Sequence, residues 1–482
     1  MPAALARLYY MIISNFKNLA RNSLRKKALL IAEAGYRAVE ISSVIRQKII
    51  LKESRLIINP ASIDGSKKLK LNLNDYSRIF LIGIGKGSAL ACVTLAKILN
   101  RRLAGGITLD VSKVKSQKLK VKSFVGTHPL PSKQNLKATQ KIIRLAKSLK
   151  ENDLLITFIC GGGSALLCGS EKELKNSILA TKLLTQAGAD ILELNTVRKH
   201  LSEINPHTKR GVAPSAQKNY SPRYGVGVKG GGLAKIAYPA TVISLIVSDV
   251  IGNDLSMVAS GPTVFDKTTK KDAKIILKKY NLRPTTYDLR LIETPKNKKY
   301  FKKVKNILFL SNREPVLAMA EKAKKLGFKP KIYSLKIQGE AKYALLPLME
   351  AVRAGEAVLA AGETTVKLDN RPTGKGGRNM ETVLGIISKA QSAKRKALNV
   401  KRLALSDRLV VMSFATDGRD NTEAAGAIGD FSTLEKAKKL KLEPEEFLNQ
   451  NNSFNFFKKT GDLIFAKPKS FNVSDLMIIL KQ

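Results

Sequence analysis

The strongest constraint on the fold is a repeated order of apolar run, glycine-rich loop and helix. Two stretches show it most fully, "RIFLIGIGKGSALACVTLAKIL" and "DLLITFICGGGSALL", and three more apolar runs end in polar residues, "ATVISLIVSDVIGND", "AVLAAGETTV" and "LVVMSFATDGRDN". Short apolar runs that alternate with helices indicate parallel strands in α/β layers, where ligands bind at the carboxyl ends of the strands. We therefore expect an α/β fold with Rossmann-like or mixed sheets.

The length of the chain and a change of composition along it predict two domains. The chain has 482 residues, of which 44% are hydrophobic, enough for two or three ordinary cores. A lysine-rich segment without an apolar pattern separates the halves, so we predict an N-terminal α/β domain over 15–285, a linker over 286–304 and a C-terminal α/β domain over 305–482 that starts with the strand "KNILFLS". The stretch 205–228 is polar and contains several prolines and glycines, so we expect it to be a loop inserted in the first domain.

Charge and cysteine usage limit the partners. The net charge is +47, but the lysines are spread along the chain and no stretch interleaves arginine with aromatic residues, so we expect a surface that attracts anionic substrates and no specific nucleic-acid partner. The three cysteines have no CxxC spacing, which favours a reducing compartment and argues against a structural metal. No apolar run approaches the length of a membrane span, which is about 20 residues. We expect a cytoplasmic protein without a membrane partner.

The loop "GIGKGSA" places Lys86 between Gly85 and Gly87, before Ser88. Glycines let an anion approach the backbone, and the helix that follows offers free N–H groups. The loop is not a Walker A motif, because Lys86 is followed by glycine rather than Ser or Thr. It matches the dinucleotide fingerprint in part, with Asp110 as a candidate ribose-binding acid. An anion site and a purely structural turn both stay open.

Two glycine triplets follow, in "CGGGSALL" and "KGGGLA". Ser164 could be a nucleophile on a tight turn, but such an elbow needs glycine two residues later, where this chain has Leu166. Two separate triplets suit a phosphate chain better, and a helix N-cap is the structural alternative for Ser164. The candidate phosphate-binding residues are Gly161, Gly162, Gly163, Ser164, Lys229, Gly230, Gly231 and Gly232.

The segment "DILELNTVRKHLSEI" reads as a helix with Asn195, Arg198, Lys199 and Ser202 on one face. Two cations and an amide on one face suit a carboxylate or phosphate, although a solvated helix face has the same pattern. His200 points off this face and is expected to be structural.

Acidic residues follow several of the apolar runs, as Asp249 and Asp254 do in "SDVIGNDLSM" and Asp417 does in "ATDGRDN". A carboxylate at a strand end can bind Mg²⁺ or accept a proton, or it can cap a helix. The loops "GETTV" and "GKGGRN" add Glu363 and Arg378. Cations and acids together at strand ends are the components of Mg-nucleotide chemistry.

The order of motifs resembles the glycerate 2-kinase family with a C-terminal MOFRL domain, a group also described as hydroxypyruvate reductases. The matching stretches, in order, are "GIGKGSA", "GTHPLPS", "CGGGSALL", "LNTVRKHLS", "KGGGLA", "SDVIGNDLSMVASGPTV", "GETTV", "GKGGRNME" and "ATDGRDNTEAAGAIGD". The resemblance implies two α/β domains with the active site in the cleft between them, and ATP- and Mg²⁺-dependent phosphorylation of D-glycerate to 2-phosphoglycerate. It also implies Lys86 and Arg378 as the catalytic and substrate-binding pair. A homodimer is the candidate assembly.

We expect Lys86 and Arg378 to hold the glycerate carboxylate and the γ-phosphoryl group, and Asp249, Asp254 or Asp417 to hold Mg²⁺ or take the C2 hydroxyl proton. The alternative function is NAD(P)H-dependent reduction of hydroxypyruvate. The chain departs from the family pattern in the 205–228 insertion, in "AKPKSFNV" at 466–473, which lacks the family's two glycines, and in Ser132, where the family has aspartate.

Overall fold

A computed structural model describes residues 11–61, 67–114, 120–203, 227–282, 289–368, 373–395, 408–469 and 471–482. These residues form two compact units. The first unit is Ile41–Phe309, and the second unit is Leu310–Gln482 together with the described residues up to Glu40. Residues 205–226 of the predicted insertion and 286–288 of the predicted linker lie outside the described residues.

The elements follow in chain order. The second unit begins with α1 (Phe16–Leu19) and α2 (Ser23–Ala38). The first unit contains α3 (Ile41–Lys48), β1 (Ile49–Lys52), β2 (Arg55–Ile58), β3 (Leu69–Asn72), β4 (Arg78–Ile84), α4 (Ser88–Leu99), β5 (Leu103–Asp110), β6 (Val121–Val125), α5 (Lys133–Lys147), β7 (Asp153–Ile159), α6 (Gly163–Leu166), α7 (Glu171–Gln186), α8 (Ile191–Leu201), α9 (Gly232–Ala237), β8 (Thr241–Val247), α10 (Lys270–Lys279) and β9 (Val304–Leu310). The second unit continues with α11 (Arg313–Lys325), β10 (Lys329–Ile337), α12 (Leu346–Ala351), β11 (Glu356–Gly362), α13 (Arg378–Arg395), β12 (Leu409–Ala415), β13 (Gly426–Asp430), α14 (Phe431–Lys439), α15 (Pro444–Asn449), α16 (Ser453–Thr460), β14 (Leu463–Ile464) and β15 (Asp475–Lys481).

The main sheet of the first unit has the order β6-β5-β4-β7-β8-β9, and the pairs from β6 to β8 are parallel. The strand order reverses between β4 and β7, whose last residues, Ile84 and Ile159, lie opposite each other. Every residue of β7 is buried, as expected for a parallel strand that is covered on both faces. On one face Ile82 and Leu155 of the sheet share a core with Ile142 of α5 and Leu233 of α9. Strands β1, β2 and β3 form a separate antiparallel sheet.

The sheet of the second unit is mixed, with the order β10-β11-β15-β12-β13-β14 and one parallel pair, β10–β11. Alternate residues of β12 enter two cores: Met412 and Phe414 pack with α2 and α11, whereas Val411 packs with α13 and α16. This alternation is the period of two that a strand imposes. Two α/β units with one parallel and one mixed sheet confirm the predicted fold class. Within the described ranges, no helix combines the length and the apolar composition that crossing a membrane requires.

The structure divides the chain differently from the predicted domain boundaries at the N-terminal helices. Helix α2 packs in the second unit, where the buried Arg25 guanidinium lies 2.6 Å from Asp462 and 3.3 Å from Asp430. These partners follow Arg25 by more than 400 residues, so the local pattern around the arginine could not reveal them. The described residues before Ile41 therefore pack with the C-terminal half of the chain, whereas the sequence pattern placed those from residue 15 onward in the N-terminal domain.

The strand that was expected to open the second domain also lies elsewhere. Strand β9, which contains "KNILFL", occupies the edge of the first unit's sheet next to β8. The side chain of Asn306 on this strand bonds to Thr263 of the first unit, with Oδ1 accepting from the threonine hydroxyl at 2.7 Å. The boundary defined by packing is thus after residue 309, at the last residue of β9.

Candidate active site

The loops after β4 and β7 meet where the strand order reverses. The N–H of Lys86 donates to Gly161 O at 3.0 Å, and the N–H of Cys160 donates to Ile84 O at 2.8 Å. In open α/β sheets ligands bind at such a reversal, beyond the carboxyl ends of the strands. Three glycine loops were predicted to bind phosphate, and they differ in whether their N–H groups remain available.

The backbone donors of the first loop are used within the protein. Gly85 N–H donates to Leu109 O at 3.1 Å, and Ser88 N–H donates to Gly85 O at 3.2 Å. Gly87 and Ala89 both donate to the carboxylate of Asp110. Ser88 is fully buried. The structure therefore argues against phosphate binding by the backbone of this loop and leaves the Lys86 side chain as its candidate contribution.

Asp110 holds the start of helix α4 and is not placed to bind a ribose. Its carboxylate accepts hydrogen bonds from Ala89 N–H at 2.9 Å and Val111 N–H at 2.6 Å, and the residue is 1% exposed. Burial raises the pKa of this carboxyl, and the backbone donors oppose that rise. The structure thus corrects the interpretation of Asp110 as a cofactor-binding acid.

The third loop is also occupied internally. Gly230 N–H donates to Ser260 O at 2.8 Å, Gly231 N–H to Gly261 O at 2.7 Å and Gly232 N–H to Lys229 O at 3.0 Å. The Lys229 ammonium lies 2.9 Å from Glu173 Oε1, and both side chains are buried. The expectation that residues 229–232 bind a phosphate is therefore corrected: they form a structural clamp.

The middle loop keeps its donors. Among the described residues, no backbone carbonyl accepts a hydrogen bond from the N–H groups of Gly161, Gly162, Gly163 or Ser164. Gly162 takes a left-handed φ of 79° and precedes α6, so successive N–H groups open the helix as they do at anion sites. This loop is the one of the three whose backbone matches the phosphate-cradle prediction.

Two cations border the middle loop without an acidic partner among the described residues. A Cβ atom added to Gly162 would lie 3.2 Å from Lys86 Cε and 3.2 Å from His128 Cδ2. Arg198 on α8 donates to Thr181 Oγ1 at 3.1 Å, and burial lowers the pKa of its guanidinium. His128 has its pKa lowered to about 4, by partial burial first and then by Lys86 and Arg198. The region therefore carries the positive charges of Lys86 and Arg198, with the carboxylate of Asp249 at Gly161.

A hydroxyl cluster adjoins the same loop. Ser260 Oγ lies 2.8 Å from Ser164 Oγ and 3.2 Å from Asn195 Oδ1. Ala259 and Ser260 both adopt left-handed backbone conformations, with φ of 53° and 58°, which costs an L-residue roughly 1–2 kcal/mol. Strain of this kind is held at functional sites by the surrounding structure. Here the clamp of the third loop holds the carbonyl of Ser260.

The predicted cationic face of α8 divides into two sets. Asn195 meets the hydroxyls of Ser164 and Ser260, and the charge of Arg198 acts on His128 beside the middle loop. The Lys199 ammonium, by contrast, is buried 3.1 Å from Asp266 Oδ1. Ser202, which follows the helix, accepts a hydrogen bond from Val228 N–H at 3.1 Å. His200 bonds to Ile292 O and Thr268 Oγ1, in line with the structural role expected for it. The structure therefore argues against Lys199 as a substrate-binding residue.

The two acids that follow β8 differ. A Cβ added to Gly161 would lie 1.8 Å from Asp249 Oδ2, so this carboxylate borders the middle loop. Asp254 is exposed and accepts a hydrogen bond from Ser256 N–H at 2.9 Å, which is the capping alternative. No group of three or more His, Cys, Asp or Glu side chains suited to a metal occurs in the described part of the chain. Of these two acids, Asp249 is the better candidate to lie beside a phosphate bound at the middle loop.

In the second unit Arg378 is engaged by two carboxylates. Its Nε lies 2.5 Å from Asp475 Oδ2, and its Nη1 lies 2.5 Å from Glu363 Oε1. Burial opposes the charge of Arg378, but the two acids raise its pKa above the ordinary value. Glu363 is the more exposed of the partners, with 46% side-chain exposure against 1% for Asp475. A substrate anion would reach Arg378 by displacing Glu363.

Buried carboxylates surround this arginine. Burial raises the pKa of Asp475 to about 6 and the pKa of Asp420 to about 7. Asp420 accepts hydrogen bonds from Met380 N–H at 2.9 Å and Asn379 Nδ2 at 3.2 Å, and so fixes the start of α13. A pocket of ≈ 580 Å³ opens beside Arg378, lined by Thr365, Gly377, Arg419, Asn421 and Asn451 among others. Asp417 accepts a hydrogen bond from Arg419 N–H at 3.0 Å, which is a turn-stabilising contact.

The motifs that contain His128 and Ser260 did not predict a role for either residue. The signal for His128 was its position after the β6 run, in "SFVGTHPLPS". No local signal marks Ser260, because its importance comes from a left-handed backbone and a contact with Ser164, 96 residues earlier.

Cations, hydroxyls and N–H groups without a backbone acceptor among the described residues meet at the reversal of a parallel sheet. These features make an α/β protein with a candidate site for a phosphorylated or carboxylated ligand. Comparison with known proteins gives the family. The chain matches a domain of unknown function, DUF4147, over residues 27–206 and 226–290, and the MOFRL family over residues 356–475. The gap in the first match falls within the predicted insertion.

Three relatives place the chain more closely. It is 32% identical to glycerate 2-kinase of Pyrococcus horikoshii over 425 residues, covering 84% of this chain and 87% of that protein. It is 30% identical to an Agrobacterium vitis protein that carries a hydroxypyruvate reductase name, over 84% of this chain and 99% of that one. The crystal structure of glycerate kinase from Thermotoga maritima superposes with a TM-score of 0.75 at 27% identity, covering 95% of this chain and 100% of that one. The chain belongs to the glycerate 2-kinase family with a MOFRL domain.

Proposed function

We propose that the protein transfers the γ-phosphoryl group of ATP to D-glycerate and forms 2-phosphoglycerate. The observation that carries the proposal is the middle glycine loop, Gly161–Ser164, whose N–H groups find no backbone acceptor among the described residues and which is bordered by Lys86. Relatives named glycerate 2-kinase and glycerate kinase support the substrate and the reaction class.

Phosphoryl transfer depends on positioning the reactants and compensating charge. In the first unit the loop N–H groups would bind phosphate oxygens, while Lys86 and Arg198 would compensate negative charge. Ser164, oriented by Ser260 and Asn195, adds a hydroxyl donor. In the second unit Arg378 is the candidate for the substrate carboxylate, by exchange with Glu363.

Asp249 is the residue that fits a Mg²⁺-bound nucleotide. Mg²⁺ is held in proteins through one or two carboxylates plus substrate phosphates, and the Asp249 carboxylate borders the phosphate-suited loop. When bound there, the ion would compensate charge on the phosphate oxygens. Asp254 and Asp417 stay weaker candidates, because the described contacts place their carboxylates in local turns and not beside Gly161.

The test is to incubate purified protein with ATP, Mg²⁺ and D-glycerate and to follow the product by phosphorus NMR. A 2-phosphoglycerate signal is expected, and Lys86→Met should lower kcat/KM about 10²–10³-fold without unfolding the protein. A 3-phosphoglycerate signal would keep the kinase and refute the choice of hydroxyl. Turnover of hydroxypyruvate with NAD(P)H, and no phosphorylated product, would refute the kinase.

A further inference from the structure

His128 lies at the middle glycine loop, although no sequence pattern indicated a role for it. Its Cδ2 atom and Lys86 Cε are equally close to Gly162, each 3.2 Å from the position of an added Cβ. The residue is exposed, so its imidazole can meet a ligand bound at the loop. The acids proposed as bases from the sequence are less suitable, because Asp254 caps a turn and Asp249 is the fitting metal ligand.

A buried hydrogen-bond network holds the His128 segment against this loop. Asn135 is fully buried on α5, and its Oδ1 accepts from Thr127 N–H at 2.8 Å and from the Ser132 hydroxyl at 2.9 Å. Its Nδ2 donates to Thr127 O at 3.1 Å and to Leu166 O, at the end of α6, at 3.2 Å. One amide therefore ties both flanks of His128 to the helix that begins in the glycine loop. Such an anchor keeps the imidazole at the site rather than in solvent.

Resting on the kinase proposal, we propose that His128 accepts the proton of the substrate hydroxyl that is phosphorylated, and that the bound anion strengthens it for this role. In that step the substrate O–H bond breaks and its proton passes to a ring nitrogen of His128. The oxygen forms a bond to the γ-phosphorus, and the bond from that phosphorus to the bridging oxygen breaks, with its electron pair leaving on ADP. His128 then releases the proton to water.

The charges around His128 explain the coupling between anion binding and the strength of His128 as a base. Partial burial, Lys86 and Arg198 lower the pKa of His128 to about 4, so the imidazole is neutral and able to accept a proton at neutral pH. Asp249 is a further charged group at this loop, where its carboxylate borders Gly161. An anion at the loop compensates Lys86 and Arg198, which removes part of the opposition to imidazolium. The pKa of His128 should therefore rise towards its ordinary value when the anion binds, and a base is most effective when its pKa is near the working pH.

The coupling can be measured without turnover. The chain has three histidines, His128, His200 and His207, so the ring signals of the full-length protein labelled at histidine can be followed by NMR, with His128→Asn assigning the signal. Sulfate is the probe, because its charge is constant over the titration. We expect saturating sulfate to raise the pKa of His128 by at least about one unit, and Lys86→Met to raise it without sulfate. An unchanged pKa at saturating sulfate would overturn the coupling.

The catalytic role is tested separately. His128→Asn should lower kcat about 10²–10⁴-fold with little change in KM for ATP or glycerate, and should remove the limb of the pH–rate profile that His128 produces. The control is Leu130→Asn, an exposed side chain in the same segment, which should keep the kcat and profile of the wild type. If the wild type makes phosphoglycerate and His128→Asn keeps its kcat, the assignment of His128 is wrong. If the wild type makes no phosphoglycerate, the kinase proposal fails, while the sulfate titration still decides the coupling.

Discussion

Replacing Lys229 with methionine separates two interpretations of a lysine beside a glycine loop. The sequence pattern places Lys229 among phosphate ligands, whereas the structure places its ammonium 2.9 Å from Glu173 Oε1, with side-chain exposures of 1% and 0%. The other oxygen of Glu173 accepts from Gly169 N–H at 2.7 Å. Lys229→Met would leave a buried carboxylate without its counter-charge.

Removing one partner of a buried ion pair costs about 3–5 kcal/mol. In a unit of this size that corresponds to a fall of roughly 6–20 °C in the unfolding midpoint. The double variant Lys229→Met with Glu173→Gln should recover most of this loss, because the amide carries no charge and its oxygen can still accept from Gly169. The matched control is Lys86→Met, at a half-buried lysine without an acidic partner among the described residues, which should keep the midpoint and lose turnover.

The assay is urea and thermal unfolding followed by far-UV circular dichroism, since the chain has no tryptophan, combined with the phosphorus NMR turnover assay well below the midpoint. The expected pattern is a destabilised Lys229 variant and a stable but inactive Lys86 variant. A Lys229→Met protein with the midpoint of the wild type and a raised KM for ATP would refute the reasoning and restore the phosphate role.

Two further predictions follow from the geometry. Gly163→Ala should destabilise the first unit, because its Cβ would lie 2.4 Å from the Cβ of Ala259. Adding Ala259→Gly should recover part of the loss in urea midpoint, and equal midpoints for the single and double variants would contradict this. Burial raises the pKa of Asp420 to about 7 in the folded protein. As pH rises from about 4 to about 7, the unfolded chain therefore releases this proton before the folded protein does, and the second unit loses stability. Asp420→Asn lacks this titration; its urea midpoint relative to the wild type should therefore rise from pH 5 to pH 8, and a constant difference would refute the link.

The fold class was predictable from the sequence because it depends on local patterns. Apolar runs such as residues 153–159 are buried on both faces, and the glycine loops that follow them end strands where expected. The position of Lys86 after a strand and before a helix follows from the same pattern, whereas the reversal of strand order there depends on strand pairing. The domain boundaries were less predictable, since the contact that assigns α2 to the second unit joins Arg25 to Asp462, 437 residues later.

The candidate site was predictable in its location and only in part in its members. Lys199 and Lys229 have the same local context as a substrate-binding lysine, but their ammonium groups meet acids 67 and 56 residues away in the chain. A sequence pattern records that a cation follows a strand or helix; it does not record whether a carboxylate from another element reaches it first. The departure at Ser132 has a simple account, since serine caps α5 through Gln134 N–H at 3.3 Å, as aspartate can.

The three glycine loops show why similar motifs take different roles. A glycine loop before a helix offers N–H groups, and the nearest acceptor decides their use. In the first loop Asp110 takes two of them, which fixes α4 and leaves Lys86 as the contribution of that loop. In the third loop the carbonyls of Ser260 and Gly261 accept from these N–H groups. Ser260 belongs to the left-handed turn that places its Oγ 2.8 Å from Ser164 Oγ. The clamp thus supports the middle loop without contacting a ligand, because the left-handed residues would relax if their carbonyls lost these donors.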